Sequence, residues 1–268
     1  MKLSAAALEQ AANLLIAARG DMRKLAAFPP TCAPHNEADA YAIQDAFGAA
    51  TGWPVAGWKI GCTSEEAQKM LSAPGPFFGR VFAHTLIRMP GKGTPAEAEH
   101  RAFLDPGVES EFAFVMARDL PPRDKPYSRD EVGAAVASLH PAFEIVDPRW
   151  LDWLKVGLAS IVADNGANGG LLLGPAVANW RAIDLAAVKV SLTFDGKHVM
   201  SGEGSAVMGH PLNALTWLAN ELPKRGHFLR AGEAVTTGTC TSLHKIPPNI
   251  AARADFGPVG AAQLVFTR

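Results

Sequence analysis

Val108-Glu109-Ser110-Glu111-Phe112-Ala113-Phe114-Val115 decides how the chain is read. Side chains two apart on a strand share a face. Val108, Ser110, Phe112 and Phe114 then point one way, and Glu109, Glu111 and Ala113 the other. At a rise of ~3.3 Å per residue, the two glutamates stand about 7 Å apart along one face. Their charges repel unless a cation lies between them. An acidic pair of this kind also fits the solvent face of an edge strand. A third acid weighs against that alternative. In Pro141-Ala142-Phe143-Glu144-Ile145-Val146-Asp147, Glu144 stands within an apolar strand, where an unpartnered carboxylate is costly. Three carboxylates with no cysteine nearby favour a hard cation, Mg²⁺ or Mn²⁺.

Other strands surround this one. Val188, Val190, Leu192 and Phe194 alternate with polar residues, and Asp195-Gly196 turns the chain into His198–Met200. Further strands are expected over Pro54–Ile60, Phe82–Met89, Ala142–Val146, Ala234–Thr237 and Ala262–Phe266. The N-terminal stretch reads as a helix with Leu8, Ala11, Ala12 and Leu15 on one side. Asn36 with Asp39 opens a second, presenting Ala40, Ile43 and Phe47. Thr63 and Glu66 form a capping-box pattern for a short helix over Ser64–Leu71, and Ser128 with Glu131 caps another reaching about Leu139. Pro211 begins a helix to Leu222. Strands and helices do not alternate regularly, so an α+β fold is expected: a helical N-terminal region over 1–70 and a mostly β catalytic domain over 71–268.

Composition narrows the function. Lys plus Arg is 25 and Asp plus Glu is 26, with no basic run, which gives no electrostatic case for nucleic acid or an anionic membrane surface. Hydrophobic residues at 48% suffice for a large core, yet no uninterrupted apolar run reaches the roughly 18 residues of a membrane span. Glu9, Gln10 and Asn13 interrupt the Ala-rich start, so it does not read as a secretion signal. Cys32, Cys62 and Cys240 form no CxxC pair, which fits a cytoplasmic protein. Dinucleotide, P-loop, zincin and nucleophile-elbow motifs are absent. Glu97-Ala98-Glu99-His100 offers acids and an imidazole, but lies in a polar stretch that reads as a solvated loop. Lys59, flanked by apolar residues in Gly57-Trp58-Lys59-Ile60-Gly61, is either a snorkelling surface lysine or a desolvated acid–base group.

These pieces carry a resemblance. Ala40-Tyr41-Ala42-Ile43-Gln44, the block from Gly57 through Lys59 to Thr63-Ser64, and Pro76-Phe77-Phe78-Gly79 belong to it. So do Glu109-Ser110-Glu111, Pro141 to Val146, Ala163-Asp164-Asn165, Gly209-His210-Pro211-Leu212-Asn213-Ala214 and Ala254-Asp255-Phe256-Gly257. From about residue 40 to its end the chain resembles the bacterial 2-oxopent-4-enoate (2-keto-4-pentenoate) hydratases of the fumarylacetoacetate hydrolase superfamily. The resemblance implies a mixed β-sandwich roll, homo-oligomers, and a metal-dependent hydratase acting on a 2-hydroxydienoate in aromatic meta-cleavage catabolism. It places Glu109, Glu111 and Glu144 as metal ligands, Lys59 as the active-site lysine, Ser64 beside it at the substrate, and Asp164 as a recurring aspartate near the site. Two departures stand out. Phe82-Ala83-His84 replaces the usual Phe-Ala-Asp, so His84 would take an acid–base role, and Pro247-Pro248-Asn249 stands where a Gly-Asp turn is usual. A 2-oxo-hexenedioate (4-oxalocrotonate) decarboxylase, an acylpyruvate C–C hydrolase, and a non-catalytic subunit complexed with a related decarboxylase are the alternatives.

Overall fold

The computed structural model describes residues 2–268. Two helices open the chain, α1 (Ala5–Gly20) and α2 (Glu37–Thr51). Ser4 Oγ accepts the Ala7 N–H and Asn36 Oδ1 accepts the Asp39 N–H, each satisfying a donor that the first helical turn leaves unpaired. The remaining helices are α3 (Glu65–Leu71), α4 (Arg129–Ala134), α5 (Leu158–Ala163) and α6 (Pro211–Glu221). In chain order the strands are β1 (Val55–Gly61), β2 (Phe77–Phe82), β3 (Leu86–Arg88), β4 (Ala96–Glu99), β5 (Gly107–Met116), β6 (Val136–Val146) and β7 (Asn168–Leu173). There follow β8 (Lys189–Phe194), β9 (Lys197–Glu203), β10 (Ala234–Thr239), β11 (His244–Lys245), β12 (Ile250–Asp255) and β13 (Ala261–Thr267).

The strands make two mixed sheets, so the fold is α+β. The larger runs β2-β1-β10-β5-β6-β7-β3, with β11 also on β5. The smaller runs β4-β13-β12-β8-β9. Pairings β1–β10, β3–β7 and β4–β13 are parallel and the others antiparallel. β12 and β13 pack over β6, and Phe112 meets Phe256 across the two layers with ring centroids 5.1 Å apart. The large sheet curls until β2 approaches β7. Its concave face therefore encloses a second, small core of Val81, Ala113, Ala142, Leu171, Leu173 and Ala234. The expected alternation on β5 holds: Val108, Phe112 and Phe114 enter the main core, and Ala113 with the two glutamates faces the concave side.

Several local expectations are corrected. The helix after Ser128 does have its capping box but ends at Ala134, not near Leu139, because Val136–Leu139 pairs with Phe114–Met116 of β5. Phe82–Met89 is not one strand. A 3-10 turn at Ala83–Thr85 breaks it, carrying the chain from β2 on one edge of the large sheet to β3 on the other. The cap of α3 is Ser64, whose Oγ accepts the Ala67 N–H, one residue beyond the Thr63 pattern. Glu97 and Glu99 lie not on a loop but on β4, an edge strand beside β13, with both side chains exposed. β1 lies inside the large sheet although it falls within the first 70 residues. Among the described residues, no helix is long and apolar enough to cross a membrane.

Candidate active site

Register brings the acids together. Glu109 on β5 is the direct cross-strand partner of Glu144 on β6, and Glu111 follows two residues along, opposite Ala142. One carboxylate oxygen from each of the three lies within 4.8 Å of the others. Lys59 arrives from β1 across β10, fully buried, with Nζ 3.2 Å from Glu144 Oε1. Its stem passes beside Gly166, and Nζ stands 5.1 Å from the centre of the Phe77 ring.

Two of the carboxylates have one oxygen tied and one free. Glu144 Oε1 accepts the Asn168 side-chain amide at 3.0 Å besides meeting Lys59. Glu111 Oε2 accepts the Gly238 N–H at 2.7 Å. Glu144 Oε2 and Glu111 Oε1 are buried without a hydrogen-bond partner. Orphaned buried oxygens of this kind cost free energy unless something positive meets them. An all-oxygen, acidic donor set suits Mg²⁺, Mn²⁺ or Ca²⁺ and does not suit a soft metal. The residues present therefore fit a hard divalent cation.

The electrostatics agree. Burial, then the neighbouring Glu144 charge, pushes the Glu109 carboxyl up to about 7 against the pull of Lys59. Burial, then Glu144 and Glu109, raises Glu111 well above the ordinary carboxylate range. For Lys59, burial acts to lower the ammonium's pKa, but Glu144, Glu109 and Glu111 together outweigh it and hold the group above its ordinary value. The cluster thus has too much negative charge for its depth, and one ammonium does not neutralise it.

A cavity of ≈ 300 Å³ opens from Lys59 and Glu109 towards α3 and the segment after β6. Gly238 lies on its wall at φ +104, and a Cβ there would come within 1.9 Å of Thr63 Oγ1. Only glycine fits, and the irregular β5–β10 register between Thr236 and Thr239 turns its N–H onto Glu111.

The other residues singled out from the sequence are placed as follows. Ser64 lines the cavity while capping α3. Asp164 is fully buried away from the cavity lining; it pairs with Arg19 Nη2 at 2.8 Å and accepts the Arg149 backbone N–H at 3.0 Å. His84 is exposed on the 3-10 turn, edge-on to Trp53 with centroids 4.5 Å apart, and lines a separate cleft. The structure brings neither Asp164 nor His84 to the carboxylates. Sequence reading missed Gly238 and Asn168. An isolated glycine in Thr236-Thr237-Gly238-Thr239 was a usable signal for a bulge; Asn168 offered none.

Fold and site together define a class: an α+β protein with a buried cluster of three carboxylates whose chemistry fits a hard cation, one of which, Glu109, lines a small-molecule-sized cavity. The comparisons name the family. The model of the fumarylacetoacetate (FAA) hydrolase C-terminal domain matches residues 65–264, and the chain belongs to this family. It is 36% identical to a 2-keto-4-pentenoate hydratase of Paraburkholderia phymatum over 86% of both chains. It is 34% identical to one of Paraburkholderia xenovorans, over 96% of this chain and 94% of the relative. In fold it matches 4-oxalocrotonate decarboxylase from Pseudomonas putida G7, complexed with magnesium and adipate, at a TM-score of 0.89, 24% identity and 99% coverage of both chains. It matches fumarylpyruvate hydrolase from Pseudomonas aeruginosa, in complex with Mn²⁺ and pyruvate, at a TM-score of 0.61 and 13% identity over 81% of this chain.

Proposed function

We propose that this protein is a cytoplasmic, Mg²⁺- or Mn²⁺-dependent hydratase that adds water to a short 2-hydroxy-2,4-dienoate. The observation carrying the proposal is the buried cluster of Glu109, Glu111 and Glu144, in which Glu111 Oε1 and Glu144 Oε2 have no hydrogen-bond partner, beside a cavity lined by Glu109 and Lys59. The hydratase names of its relatives support the choice of reaction.

Glu109, Glu111 and Glu144 would hold the cation. When bound, it supplies Lewis acidity and neutralises negative charge at the 2-oxygen and carboxylate of the substrate. In the overall reaction the dienol hydroxyl loses its proton and C5 gains one, leaving an α,β-unsaturated ketone; water then adds with its hydroxyl on C4 and its proton on C3. Lys59 is the protein group placed for this work. Its Nζ, kept protonated by the surrounding acids, donates to the substrate's oxygen end or delivers a proton to the dienol. Asn168 and Gly238 orient the Glu144 and Glu111 carboxylates by holding one oxygen of each. Lys59 is the one protein cation lining the cavity, so proton transfers in this reading run through Lys59 and water that enters with the substrate. Asp164 acts structurally in this reading, holding Arg19 and the Arg149 backbone. A scaffold role is disfavoured because three converging carboxylates have no structural use.

The test is a steady-state assay of wild type and Glu109→Ala with Mg²⁺ or Mn²⁺ on 2-hydroxypenta-2,4-dienoate and, separately, 2-oxohex-3-enedioate, with products identified by mass spectrometry. A hydrated monoacid that disappears with Glu109→Ala is expected. CO₂ release from the diacid as the main reaction would replace the proposal with a decarboxylase.

A further inference from the structure

The cavity has two chemically different ends. Its floor carries Lys59, Glu109 and Gly238. Its outer half is built by α3 and the segment 151–156, where Met70, Leu71, Trp153 and Leu154 stand, closed by Ile161 and Leu243. Met70 is 57% exposed and Leu154 49%, so both keep apolar surface in water at the cavity's mouth. Among the described residues lining this cavity, Lys59 is the single cation, and its charge already meets Glu144. The charged residue of the outer half is an acid, Glu66, exposed on the first turn of α3.

We propose that this outer half is a selector for uncharged, apolar tails, with Glu66 acting as a charge filter against a second carboxylate. The proposal rests on the preceding reading in one respect: the 2-oxo acid end of the ligand sits at the floor. An alkyl tail leaving the floor then runs between Met70, Leu71 and Trp153, and covers apolar surface that is otherwise wet. Burying one methylene there is worth about 0.8 kcal/mol, or roughly fourfold in affinity. A terminal carboxylate in the same place loses water, finds no cation among the residues lining the outer half, and meets the Glu66 charge. Selection therefore arises from a wall that rewards hydrocarbon and from an acid that repels the wrong tail.

The experiment uses saturated 2-oxo acids, which cannot be hydrated or lose CO₂ by the same route, so that binding is read without turnover. The Mn²⁺-loaded protein is titrated calorimetrically with 2-oxopentanoate, 2-oxohexanoate and 2-oxohexanedioate. Wild type should bind 2-oxohexanoate about fourfold more tightly than 2-oxopentanoate, and at least about tenfold more tightly than the diacid. Glu66→Gln should narrow the gap to the diacid several-fold. Glu66→Arg should close or reverse it, read as the ratio of diacid to monoacid affinity within that variant. Diacid binding as tight as the monoacid in wild type, or a preference untouched by Glu66→Arg, overturns the filter even if the dienoate is hydrated. Tail selection that persists in a protein unable to hydrate any dienoate would sustain the selector and sink the hydratase reading. Binding of Mn²⁺ with no 2-oxo acid binding at all defeats both.

Discussion

Proton competition at the tricarboxylate cluster sets a pH dependence on cation binding that can be measured without knowing the substrate. Glu109 is pushed up to about 7 and Glu111 well above its ordinary range, burial first and neighbouring acids second. The sign follows from linkage. Between the ordinary value of 4.5 and about 7, the folded protein holds a proton on Glu109 that the unfolded chain has released. Without a cation, folding stability is therefore greater at the acid end of that window and declines as pH rises through it. A divalent cation needs the ionised carboxylates, so its affinity moves the opposite way. One pH unit below 7, the Glu109 proton alone weakens apparent affinity about tenfold, and the raised Glu111 acts in the same direction. With Mn²⁺ at about 100 times its dissociation constant at pH ~8, stabilisation is about 2.7 kcal/mol, or about 5–10 °C in Tm for a chain of this size. A tenfold weaker complex near pH 6 keeps about 1.4 kcal/mol, or about 3–6 °C, and the Glu111 proton reduces this further. Differential scanning fluorimetry across this range, with and without Mn²⁺, reads both trends. Glu109→Gln should lose most of the Mn²⁺ shift, while its metal-free form is no less stable than wild type because a repelling acid is gone. A Mn²⁺ shift of equal size at both ends of the range, or one that survives Glu109→Gln, would refute the reasoning.

Lys59→Met should still bind Mn²⁺ but lose roughly 10²–10⁴-fold in turnover, as expected for removal of a proton-transferring group; isothermal titration and steady-state kinetics separate the two effects. Asp164→Asn breaks the buried contact to Arg19 and weakens that to the Arg149 backbone, costing about 3–5 kcal/mol of stability with Mn²⁺ affinity little changed, as read by denaturant melts and titration. Gly238→Ala has to place a Cβ against Thr63 at φ +104 and releases Glu111, so both folding stability and Mn²⁺ affinity should fall, the first by at least about 1–3 kcal/mol. His84→Ala should not show the loss of roughly 10² or more that removal of a general acid or base produces, because His84 faces a different cleft; a kcat measurement decides it.

The acidic cluster was legible in the sequence, since two-residue periodicity on β5 fixes which side chains share a face and an acid inside an apolar strand demands a partner. Helix starts were legible at Asn36 and Ser128 because a cap is a contact over three residues. Windows this local fail where distant pairing wins. Val136–Leu139 became strand because β5 was available to it, and Phe82–Met89 was broken because its two halves joined opposite edges of one sheet.

What the sequence determined by itself is the chemistry on offer: three glutamates, one lysine in an apolar stretch, and the strand period that aims them. Only the tertiary structure decided which residues meet. Glu109 faces Glu144 because β5 and β6 pair in one register, whereas a slip of one residue would turn one of them into the core. Lys59 reaches Glu144 because β1 and β10 lie side by side in parallel, a pairing between segments more than half the chain apart. Asp164 and His84 stand away from the cluster for the same reason. Their sequence neighbours lead them to Arg19 and to Trp53, and proximity in a folded chain is set by strand pairing and packing, which no local pattern encodes.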